Sequence, residues 1–476
     1  MELDPTICYG ALRTHDPRFD GAFFVGVSST GIYCRPVCTA KIPRRENCSF
    51  YPSAAAAEQC GYRPCRRCRP ELAPGAARID AVGRLAGAAL SRIEEGVLAS
   101  GSIAGLAAEM GVSDRHLRRA IRSEFGVTPV ALAQTQRLLL AKRMLTDTDL
   151  PITDVAFASG FASLRRFNAL FQERYRLRPT DLRRGRRPSA RQGTLVCEVG
   201  YRPPFDWEAL LAFLAGRATP GVEEVDGGSY RRTAAFGRHA GWISVEPSTK
   251  RHALRVEVSA QLAPVLPAAL SRVKRLFDLS AEPRQIAERL GPLAEGRAGL
   301  RVPGAFCGFE TAVRTVIGQQ ISVQAANTLA GRLASAFGEP VETPFPNLTR
   351  ITPDPERLAS ADPAALMGLG IVQTRAAAIV ALARAVTDGR ISLEPGGDVD
   401  AATARLLEVP GVGEWTAEVI AMRALSWPDA FPHTDLGVRK ALRGSNSAQI
   451  LDMAEAWRPW RSYAVMHLWR SLEERG

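Results

Sequence analysis

Four cysteines near the start of the chain constrain its fold more tightly than any other feature. Cys34 and Cys38 are separated by three residues, and Cys65 and Cys68 by two. Each pair can reach one ion from a tight turn, and four thiolates suit tetrahedral Zn²⁺. One interpretation is a purely structural zinc ribbon, and the other is a zinc–thiolate site that reacts. Cys48 and Cys60 lie close enough in sequence to replace one of the four ligands.

Composition favours a nucleic-acid partner. The net charge is +12 and the pI about 9.6, and a large basic protein usually binds an anionic polymer, although an unspecific basic surface is the alternative. The crowding of cysteines between residues 34 and 68 favours metal or catalytic use over disulfides. The polar N-terminus and the lack of a long apolar run predict a cytoplasmic protein.

Five segments differ in composition and periodicity. We predict a cysteine-rich α+β domain, a helical domain with apolar residues at three- and four-residue spacing, an Arg-rich linker, a second α+β domain and an all-α domain. The fold class is therefore multidomain and mainly α. The predicted boundaries are 1–76, 78–183, 184–193, 194–299 and 300–476.

An internal repeat lies in the second segment. Ala107-x3-Gly111 recurs as Ala156-x3-Gly160, each copy with a short helical stretch, a glycine turn and a second stretch rich in arginine. Two copies are too few for a solenoid, so two helix-turn-helix units explain the repeat better. The alternative is an amphipathic helical pair with a solvated basic face.

The second helix of each unit is predicted to enter the major groove of DNA. Arginine can grip guanine and asparagine can grip adenine in bidentate fashion. The candidates, besides Ser113 and Ser163, are Arg115, His116 and Arg119 in the first copy and Arg165, Arg166 and Asn168 in the second. The stretch "ITDVAFASGFASLRRFNALFQERYRLRPTDLR" resembles the AraC-type transcription activators, which implies promoter binding and contact with RNA polymerase.

The charge of the cysteine cluster favours the reactive interpretation. Zn²⁺ with four thiolates carries a net charge near −2, and a thiolate beside an alkylated, neutral phosphate can accept its alkyl group. We expect surrounding arginines to offset this charge and attract phosphates: Arg35, Arg44, Arg45, Arg63, Arg66, Arg67 and Arg69.

The stretch "GIYCRPVC…RENCSFY…GYRPCRRCRP" is similar to the N-terminal domain of the bacterial Ada family, which removes methyl groups from DNA phosphotriesters. The resemblance implies that Cys34 is the methyl acceptor and that Cys34, Cys38, Cys65 and Cys68 bind one zinc ion. The second methyltransferase site of that family, a Pro-Cys-His-Arg string, is absent from this sequence.

A glycine hairpin marks the last segment. In "EVPGVGEWTAEVIA", the amides around Gly411, Val412 and Gly413 open at the start of the next helix, where amides bind a DNA phosphate without reading sequence. Asp435 follows in "FPHTDLGVRKAL". A plain helix–helix turn and a simple helix N-cap are the alternatives.

Together these features resemble the helix-hairpin-helix DNA glycosylases, in which an aspartate past the hairpin stabilises the cationic sugar. That role maps onto Asp435. Trp415 stands where bifunctional members carry a Schiff-base lysine, so no lyase activity is expected. Past residue 197 only Cys307 remains, too few cysteines for the iron–sulfur cluster of some members.

Residues 194–476 resemble the AlkA-type 3-methyladenine glycosylases II, with a TBP-like α+β domain first. Electron-rich rings stack well on cationic alkylated purines, and the resemblance places Trp415, Trp469 and Phe213 in the base pocket, although such residues are often simply core. Gln320 replaces a leucine wedge and Val419 replaces a pocket tyrosine. The resemblance also implies a monovalent cation at the hairpin.

The function predicted from the sequence is an alkylation-damage response. Cys34 takes methyl groups from DNA phosphotriesters, the helix-turn-helix units activate transcription, and a monofunctional glycosylase excises alkylated bases. We expect a monomer that binds double-stranded DNA and RNA polymerase at the bacterial nucleoid. The alternative is a transcription regulator whose glycosylase domain only recognises damage.

Overall fold

The computed structural model describes residues 3–75, 81–183, 193–443 and 445–473. The chain forms two compact units. The first comprises Met1–Pro203, Val245–Ser271 and Leu279–Glu282, and the second comprises Pro204–Ser244, Arg272–Asp278 and Pro283–Gly476. Nearly all of the predicted linker, residues 184–192, lies outside the described residues.

The first unit begins with a small α+β region around a four-stranded sheet. Its elements are α1 (Pro5–Arg13), β1 (Phe24–Val27), β2 (Ile32–Cys34), β3 (Cys48–Tyr51), α2 (Ala54–Gln59) and β4 (Arg63–Pro64). The strand order is β3-β1-β2-β4, with only the β2–β4 pair parallel. Because Tyr33 pairs with Pro64 across β2 and β4, the residues that follow, Cys34 and Cys65, leave the same end of the sheet.

The next helices carry the repeat. They are α3 (Ala81–Glu94), α4 (Val97–Ser100), α5 (Ile103–Glu109), α6 (Asp114–Phe125), α7 (Pro129–Asp147), α8 (Ile152–Ala158), α9 (Leu164–Tyr175) and α10 (Pro179–Arg183). Gly111 and Gly160 have φ angles of 69° and 82° in the turns after α5 and α8. Glycine adopts such angles without strain, so both predicted helix-turn-helix units are confirmed, with the 19-residue α7 between them.

Residues 194–276 hold five strands and two helices. They are β5 (Thr194–Gly200), α11 (Trp207–Ala215), β6 (Glu223–Asp226), β7 (Ser229–Phe236), β8 (His239–Pro247), β9 (Ala253–Ser259) and α12 (Leu266–Leu276). In the first unit β5 pairs antiparallel with β9, from Thr194↔Ser259 to Gly200↔Ala253. In the second unit the order is β8-β7-β6. The predicted second α+β segment is thus present.

The rest of the described chain is helical and belongs almost entirely to the second unit. Its helices are α13 (Pro283–Leu290), α14 (Gly308–Ile317), α15 (Val323–Phe337), α16 (Pro355–Ala359), α17 (Pro363–Met367), α18 (Gln373–Thr387), α19 (Val399–Leu407), α20 (Glu414–Arg423), α21 (Leu436–Ala441), α22 (Ser447–Glu455) and α23 (Arg461–Glu473). Together with the preceding regions, they confirm the multidomain, mainly α fold class.

The core of the second unit fixes the glycine hairpin. Ile317, Ile379 and Ile420 are fully buried there, and Val409 and Val412 pack into the same cluster. Each fully buried aliphatic side chain contributes about 1.5–3 kcal/mol, so the hairpin backbone is held against a rigid core. Among the described residues, no helix has both the length and the apolarity that crossing a bilayer requires.

Candidate metal centre and active-site cleft

The four predicted cysteines converge at one end of the small sheet. The sulfur atoms of Cys34, Cys38, Cys65 and Cys68 all lie within 4.8 Å of one another. Two backbone hydrogen bonds set this geometry, because the Cys38 N–H donates to Arg35 O at 3.1 Å and the Cys65 N–H donates to Tyr33 O at 3.0 Å. Four sulfurs at these separations fit one tetrahedral Zn²⁺ ion.

The two further cysteines of this region lie elsewhere. Cys48 is buried in the cluster formed with Cys8 and Val27, and its thiol donates to Arg44 O at 3.3 Å. Cys60 is exposed and caps the C-terminus of α2. Neither belongs to the sulfur group that can share an ion. Cys48 is therefore a core residue of the small α+β region.

Two of the arginines expected to attract phosphates are engaged inside the protein. The Arg35 guanidinium pairs with Asp20 and donates to Cys68 O at 3.0 Å, while its backbone N–H donates to Cys68 Sγ at 3.4 Å. Arg69 is buried. The prediction was wrong for both, because nearby carboxylates neutralise them. By contrast, Arg44, Arg45, Arg66 and Arg67 are exposed and Arg63 is half-buried.

A buried ionic cluster joins the cysteine region to α7. Glu71 accepts from Arg69 Nε at 2.9 Å and from Lys142 Nζ at 2.5 Å, and Arg69 also donates to Asp147 at 2.7 Å. Burial alone would raise the pKa of Glu71, but Lys142 and Arg69 overcome it and hold the pKa at about 2. The two carboxylates and the two cations compensate one another, which buried charges require.

A second buried carboxylate, that of Glu58, also connects the cysteine region to α7. Glu58 on α2 accepts from the Tyr33 hydroxyl at 3.0 Å and from the Thr135 hydroxyl of α7 at 2.8 Å. Its burial raises its pKa to about 7, against the lowering effect of those two hydroxyls. Tyr33 directly precedes Cys34, so one hydrogen-bonded path runs from the residue before the first cysteine to the long helix between the helix-turn-helix units.

The candidate recognition helices present their predicted side chains outward. Arg115 and Arg119 on α6 are exposed and His116 is half-buried, while Arg165, Arg166 and Asn168 on α9 are exposed. The serines before them act as helix N-caps instead, since Ser113 Oγ accepts from the His116 N–H and Ser163 Oγ from the Arg166 N–H, both at 3.2 Å. N-capping positions the first turn of each helix.

In the second unit, one cleft of about 1130 Å³ collects most of the predicted active-site residues. Its lining includes Phe213, Gln320, Gly411, Gly413, Trp415, Val419, Asp435 and Trp469. These residues come from α11, the turn after α14, the hairpin, α20, the start of α21, and α23. The fold therefore brings together side chains that are up to 256 residues apart.

Asp435 is held by four donors. Its Oδ1 accepts from Trp469 Nε1 at 2.8 Å and from the N–H groups of Gly437 and Val438 at 2.8 and 3.1 Å. Its Oδ2 accepts from Trp415 Nε1 at 2.9 Å. Asp435 is thus the N-cap of α21, the alternative considered above, and at the same time a residue of the cleft. Two indoles orient its carboxylate.

The hairpin offers backbone amides at its tip. Gly411 has a φ of 85°, and a Cβ there would meet Ala378 Cβ at 2.9 Å, so only glycine fits. The Val412 N–H donates to Val409 O at 3.0 Å, whereas the Gly413 N–H has no acceptor among the described residues and lies at the N-cap of α20. Among the described residues, the hairpin amides without an acceptor are therefore those of the two glycines and not that of Val412.

The aromatic residues and the wedge candidate have distinct surroundings. The rings of Phe213 and Trp469 are nearly parallel, with centroids 6.2 Å apart and an interplanar angle of 11°. Gln320 is exposed and has a φ of 55°, a strained angle for a non-glycine residue. Val419 is buried in the cleft wall. A strained, exposed side chain at a cleft edge suits a role in contact with a ligand.

Several cleft residues were not predicted from the sequence, and three of them contact the predicted ones. Gln319 Nε2 donates to both Gly411 O and Thr416 Oγ1 at 2.9 Å, which ties the turn after α14 to the hairpin. The guanidinium carbons of Arg217 and Arg423 lie 3.8 and 5.3 Å from the Phe213 ring centroid. The spacing of Phe213 and Arg217 by four residues was a sequence signal for this contact.

Four family descriptions match consecutive parts of the chain. "Metal binding domain of Ada" matches residues 7–71, "Helix-turn-helix domain" residues 106–185, "AlkA N-terminal domain" residues 196–307, and "HhH-GPD superfamily base excision DNA repair protein" residues 313–452. The match to the metal-binding domain of Ada agrees with the clustering of the four cysteine sulfurs and supports the predicted zinc. The second and fourth support DNA as the partner.

Individual relatives agree with this order of domains. The "Probable bifunctional transcriptional activator/DNA repair enzyme AlkA" of Mycobacterium tuberculosis is 40% identical over 99% of this chain and 97% of its own length. "DNA-3-methyladenine glycosylase 2" of Escherichia coli is 40% identical over 57% of this chain and 95% of its own length. A solved structure of MBOgg1 with a low-affinity DNA ligand shares the fold, with a TM-score of 0.50, 20% identity and coverage of 60% of this chain and 98% of that one.

The whole-length identity and the four domain matches have one consequence. The resemblances to the Ada, AraC-type and AlkA families predicted from the sequence are confirmed. The chain belongs to the family of bifunctional AlkA-type transcriptional activators and DNA repair enzymes.

Proposed function

We propose that this chain senses methylated phosphates in DNA, activates transcription in response, and excises alkylated bases of the 3-methyladenine type. The observation that carries the proposal is the Asp435 carboxylate, which two indoles hold in an aromatic cleft beside the glycine hairpin. The five segments predicted from the sequence are our proposal for the domain boundaries.

Base excision would depend on the charge of Asp435. When the bond between C1′ and the base breaks, its electron pair leaves with the base and positive charge develops on the deoxyribose. A carboxylate opposite that charge lowers the barrier. Oδ2 of Asp435 accepts only one hydrogen bond among the described residues, which leaves a lone pair to orient the attacking water and take its proton.

The surrounding residues would hold the flipped nucleotide. We assign base stacking to Trp415, Trp469 and Phe213 because their rings line the cleft, and space filling in the opened duplex to the strained Gln320. The Gly411 and Gly413 amides would bind a backbone phosphate. A monovalent cation at the hairpin carbonyls is proposed from the family resemblance alone.

We propose that the glycosylase has no lyase activity. A lyase needs an amine that attacks C1′ and forms a Schiff base. The corresponding position holds Trp415, whose indole nitrogen already donates to Asp435. Incubation with an abasic duplex and borohydride should therefore trap no covalent adduct.

For the N-terminal domain we propose methyl transfer to Cys34. Its sulfur would attack the methyl carbon of a phosphotriester, forming an S–C bond while the C–O bond breaks and its electron pair remains on the phosphate oxygen, now a diester anion. Cys38, Cys65 and Cys68 complete the donor set that would hold zinc with Cys34, and zinc supplies a deprotonated sulfur at neutral pH. The exposed arginines Arg66 and Arg67 would attract the DNA backbone.

The helix-turn-helix units would carry the transcriptional response. We assign base contacts to the outward-facing residues of α6 and α9, and we propose that the protein acts as a monomer, contacts RNA polymerase and works at the nucleoid in the cytoplasm. Replacement of Arg165 by Gln should weaken promoter binding and leave base release unchanged, because Arg165 is exposed on α9 in the first unit.

A base-release assay on alkylated duplex DNA tests the enzymatic proposal against the regulator-only alternative. The wild type should release free alkylated base and Asp435→Asn should release almost none, while both bind the duplex. Equal release by the two proteins would refute the role of Asp435. Tight binding of damaged DNA with no release by either protein would favour the alternative.

A further inference from the structure

The turn between α14 and α15 carries a strained residue at the mouth of the cleft. Gln320 is exposed and has a φ of 55°, a backbone angle that is unfavourable for any residue except glycine. Such a conformation persists only where the surrounding structure determines it. The contacts that hold this turn therefore also set the position of the Gln320 side chain.

The preceding side chain, that of Gln319, anchors the turn to the glycine hairpin. Its Nε2 donates to Gly411 O and to Thr416 Oγ1, each at 2.9 Å. A glutamine amide carries two N–H donors on this nitrogen, and a backbone carbonyl can only accept. The two bonds therefore use both donors, and the contact with Gly411 O fixes which end of the amide faces the hairpin.

The two acceptors belong to the parts of the cleft that the proposed chemistry uses. Gly411 is a glycine of the hairpin whose amides would bind a phosphate, and its backbone is held by the buried side chain of Val412. Thr416 is 2% exposed and follows Trp415, whose indole N–H donates to Asp435 at 2.9 Å. One half-buried amide thus contacts both the hairpin and the helical turn that orients the carboxylate.

A fixed distance between the turn and the hairpin has an energetic consequence for base extrusion. Taking a base out of the duplex costs its stacking and pairing energy. A side chain that fills the gap and a grip on the flanking phosphate offset part of this cost. When both groups belong to one rigid surface, the second contact forms without a further loss of freedom.

We propose that Gln319 is a positioning residue for base excision and that it acts by holding Gln320 in register with the glycine hairpin. The inference rests on the proposed glycosylase function. Gln320 then enters the base stack at the nucleotide whose flanking phosphate the Gly411 and Gly413 amides bind. In this role Gln319 contacts neither the base nor the sugar, and its effect passes through Gln320.

Two duplexes test the proposal, each with a single 7-methylguanine, which lies opposite cytosine in one and opposite an abasic-site analogue in the other. In the second duplex the lesion has no pairing partner, so its extrusion costs less. Single-turnover release is measured for the wild type, Gln319→Ala, Gln319→Glu and Gln320→Ala. Gln324→Ala is the matched control, because Gln324 is exposed on α15 and does not line the cleft.

Both Gln319 variants should slow release from the paired duplex at least about tenfold and release from the unpaired duplex much less. A glutamate at this position keeps the length of the side chain but has no donor for Gly411 O. The double variant Gln319→Ala/Gln320→Ala should be no slower than Gln320→Ala alone, because the two residues act as one unit. Gln324→Ala should change neither rate.

A merely structural role of Gln319 would give a different result. Both rates come from the same preparation, so a loss of folded protein lowers them equally. Equal slowing on the two duplexes would therefore overturn the proposal, as would losses that add up in the double variant.

A second readout does not require base release. A 2-aminopurine next to the lesion fluoresces when it is unstacked, and its fluorescence is measured when Asp435→Asn binds the paired duplex, with and without Gln319→Ala. Replacement of Gln319 should reduce the fluorescence increase, and an undiminished increase would contradict the proposal. Absence of release by the wild type, together with a fluorescence increase that depends on Gln319, would refute the glycosylase function and not the role of Gln319.

Discussion

The indole N–H of Trp469 donates to Oδ1 of Asp435 at 2.8 Å, across 34 residues of sequence. The same indole is nearly parallel to the ring of Phe213. One side chain therefore connects the pair of parallel rings to the carboxylate, and under the proposed function a base stacked on these rings would have its sugar near Asp435. This relationship predicts that the geometry of Trp469 matters as well as its bulk.

Replacing Trp469 by Phe should keep an aromatic ring and remove the hydrogen bond to Asp435. A hydrogen bond to a charged group contributes about 1.5–3 kcal/mol, so we expect base release to slow about tenfold or more. Single-turnover rates measure the effect, and Trp427→Phe is a matched control because Trp427 does not line the cleft. An unchanged rate for Trp469→Phe would show that the bond is dispensable.

Gly437→Ala should disturb the same relationship without removing any functional group. A Cβ at Gly437 would lie 2.7 Å from Trp469 Cδ1 and 3.0 Å from Asp435 Oδ1, closer than atoms can approach. We expect slower base release with nearly unchanged DNA binding. Gly397→Ala is the matched control, since a Cβ at Gly397 meets no atom within 4 Å and its φ is not in the left-handed region. Full activity of Gly437→Ala would contradict the described packing.

Zinc content should depend on the four clustered cysteines and not on Cys48. The sulfur atoms of Cys38 and its three partners lie close enough together to bind one ion. Cys38→Ser should therefore reduce bound zinc from about one ion per chain to nearly none. Cys48→Ser, the same substitution in the neighbouring core, should retain the ion. Metal analysis of the purified proteins decides this, and loss of zinc from Cys48→Ser alone would exclude the assigned donor set.

The contact between the cysteine region and α7 should depend on Lys142. Its replacement by Met removes the partner of buried Glu71 at 2.5 Å, and breaking a buried ion pair costs about 3–5 kcal/mol. Native-state hydrogen exchange of the α7 amides should show this loss, whereas Lys250→Met, at an exposed position, should have almost no effect. Unchanged protection in Lys142→Met would mean that Arg69 alone compensates Glu71.

The second unit should lose stability in mild acid because of His467. Burial, and to a lesser extent Arg297, lowers the pKa of His467 to about 4, below its ordinary value of 6.5. The unfolded chain then binds the proton more readily, so stability is full above pH 6.5 and is lost as the pH falls toward 4, by up to about 3 kcal/mol. All seven tryptophans belong to the second unit, so urea unfolding followed by tryptophan fluorescence measures it. His467→Leu should flatten this dependence, and an equally steep loss in the variant would contradict it.

Features carried by contiguous sequence were predictable. The cysteine spacing, the glycine turns of the repeat and the hairpin followed by Asp435 each lie within a short stretch, where local geometry dictates the structure. Pairing across the fold was not predictable in this way. Arg35 and Arg69 looked like phosphate-binding residues, yet Asp20 lies 15 residues from Arg35, and Asp147, one of two carboxylates that pair with Arg69, lies 78 residues away.

In the cleft, too, residue positions were predictable from the sequence but contacts between distant elements were not. Trp415 was predicted as a stacking residue from the resemblance to the AlkA-type glycosylases, but its hydrogen bond to Asp435 depends on how α20 and α21 pack. Arg217 was not singled out from the sequence. Only the packing of α11 against α23 places it beside the rings of Phe213 and Trp469.

The most direct test incubates the intact chain with duplex DNA that carries radiolabelled methyl groups on both bases and phosphates. The account predicts about one labelled methyl on Cys34 and free labelled base in solution for the wild type, protein-bound label without free base for Asp435→Asn, and free base without bound label for Cys34→Ser. Free base from Asp435→Asn at the wild-type rate, or label on a cysteine other than Cys34, would contradict it.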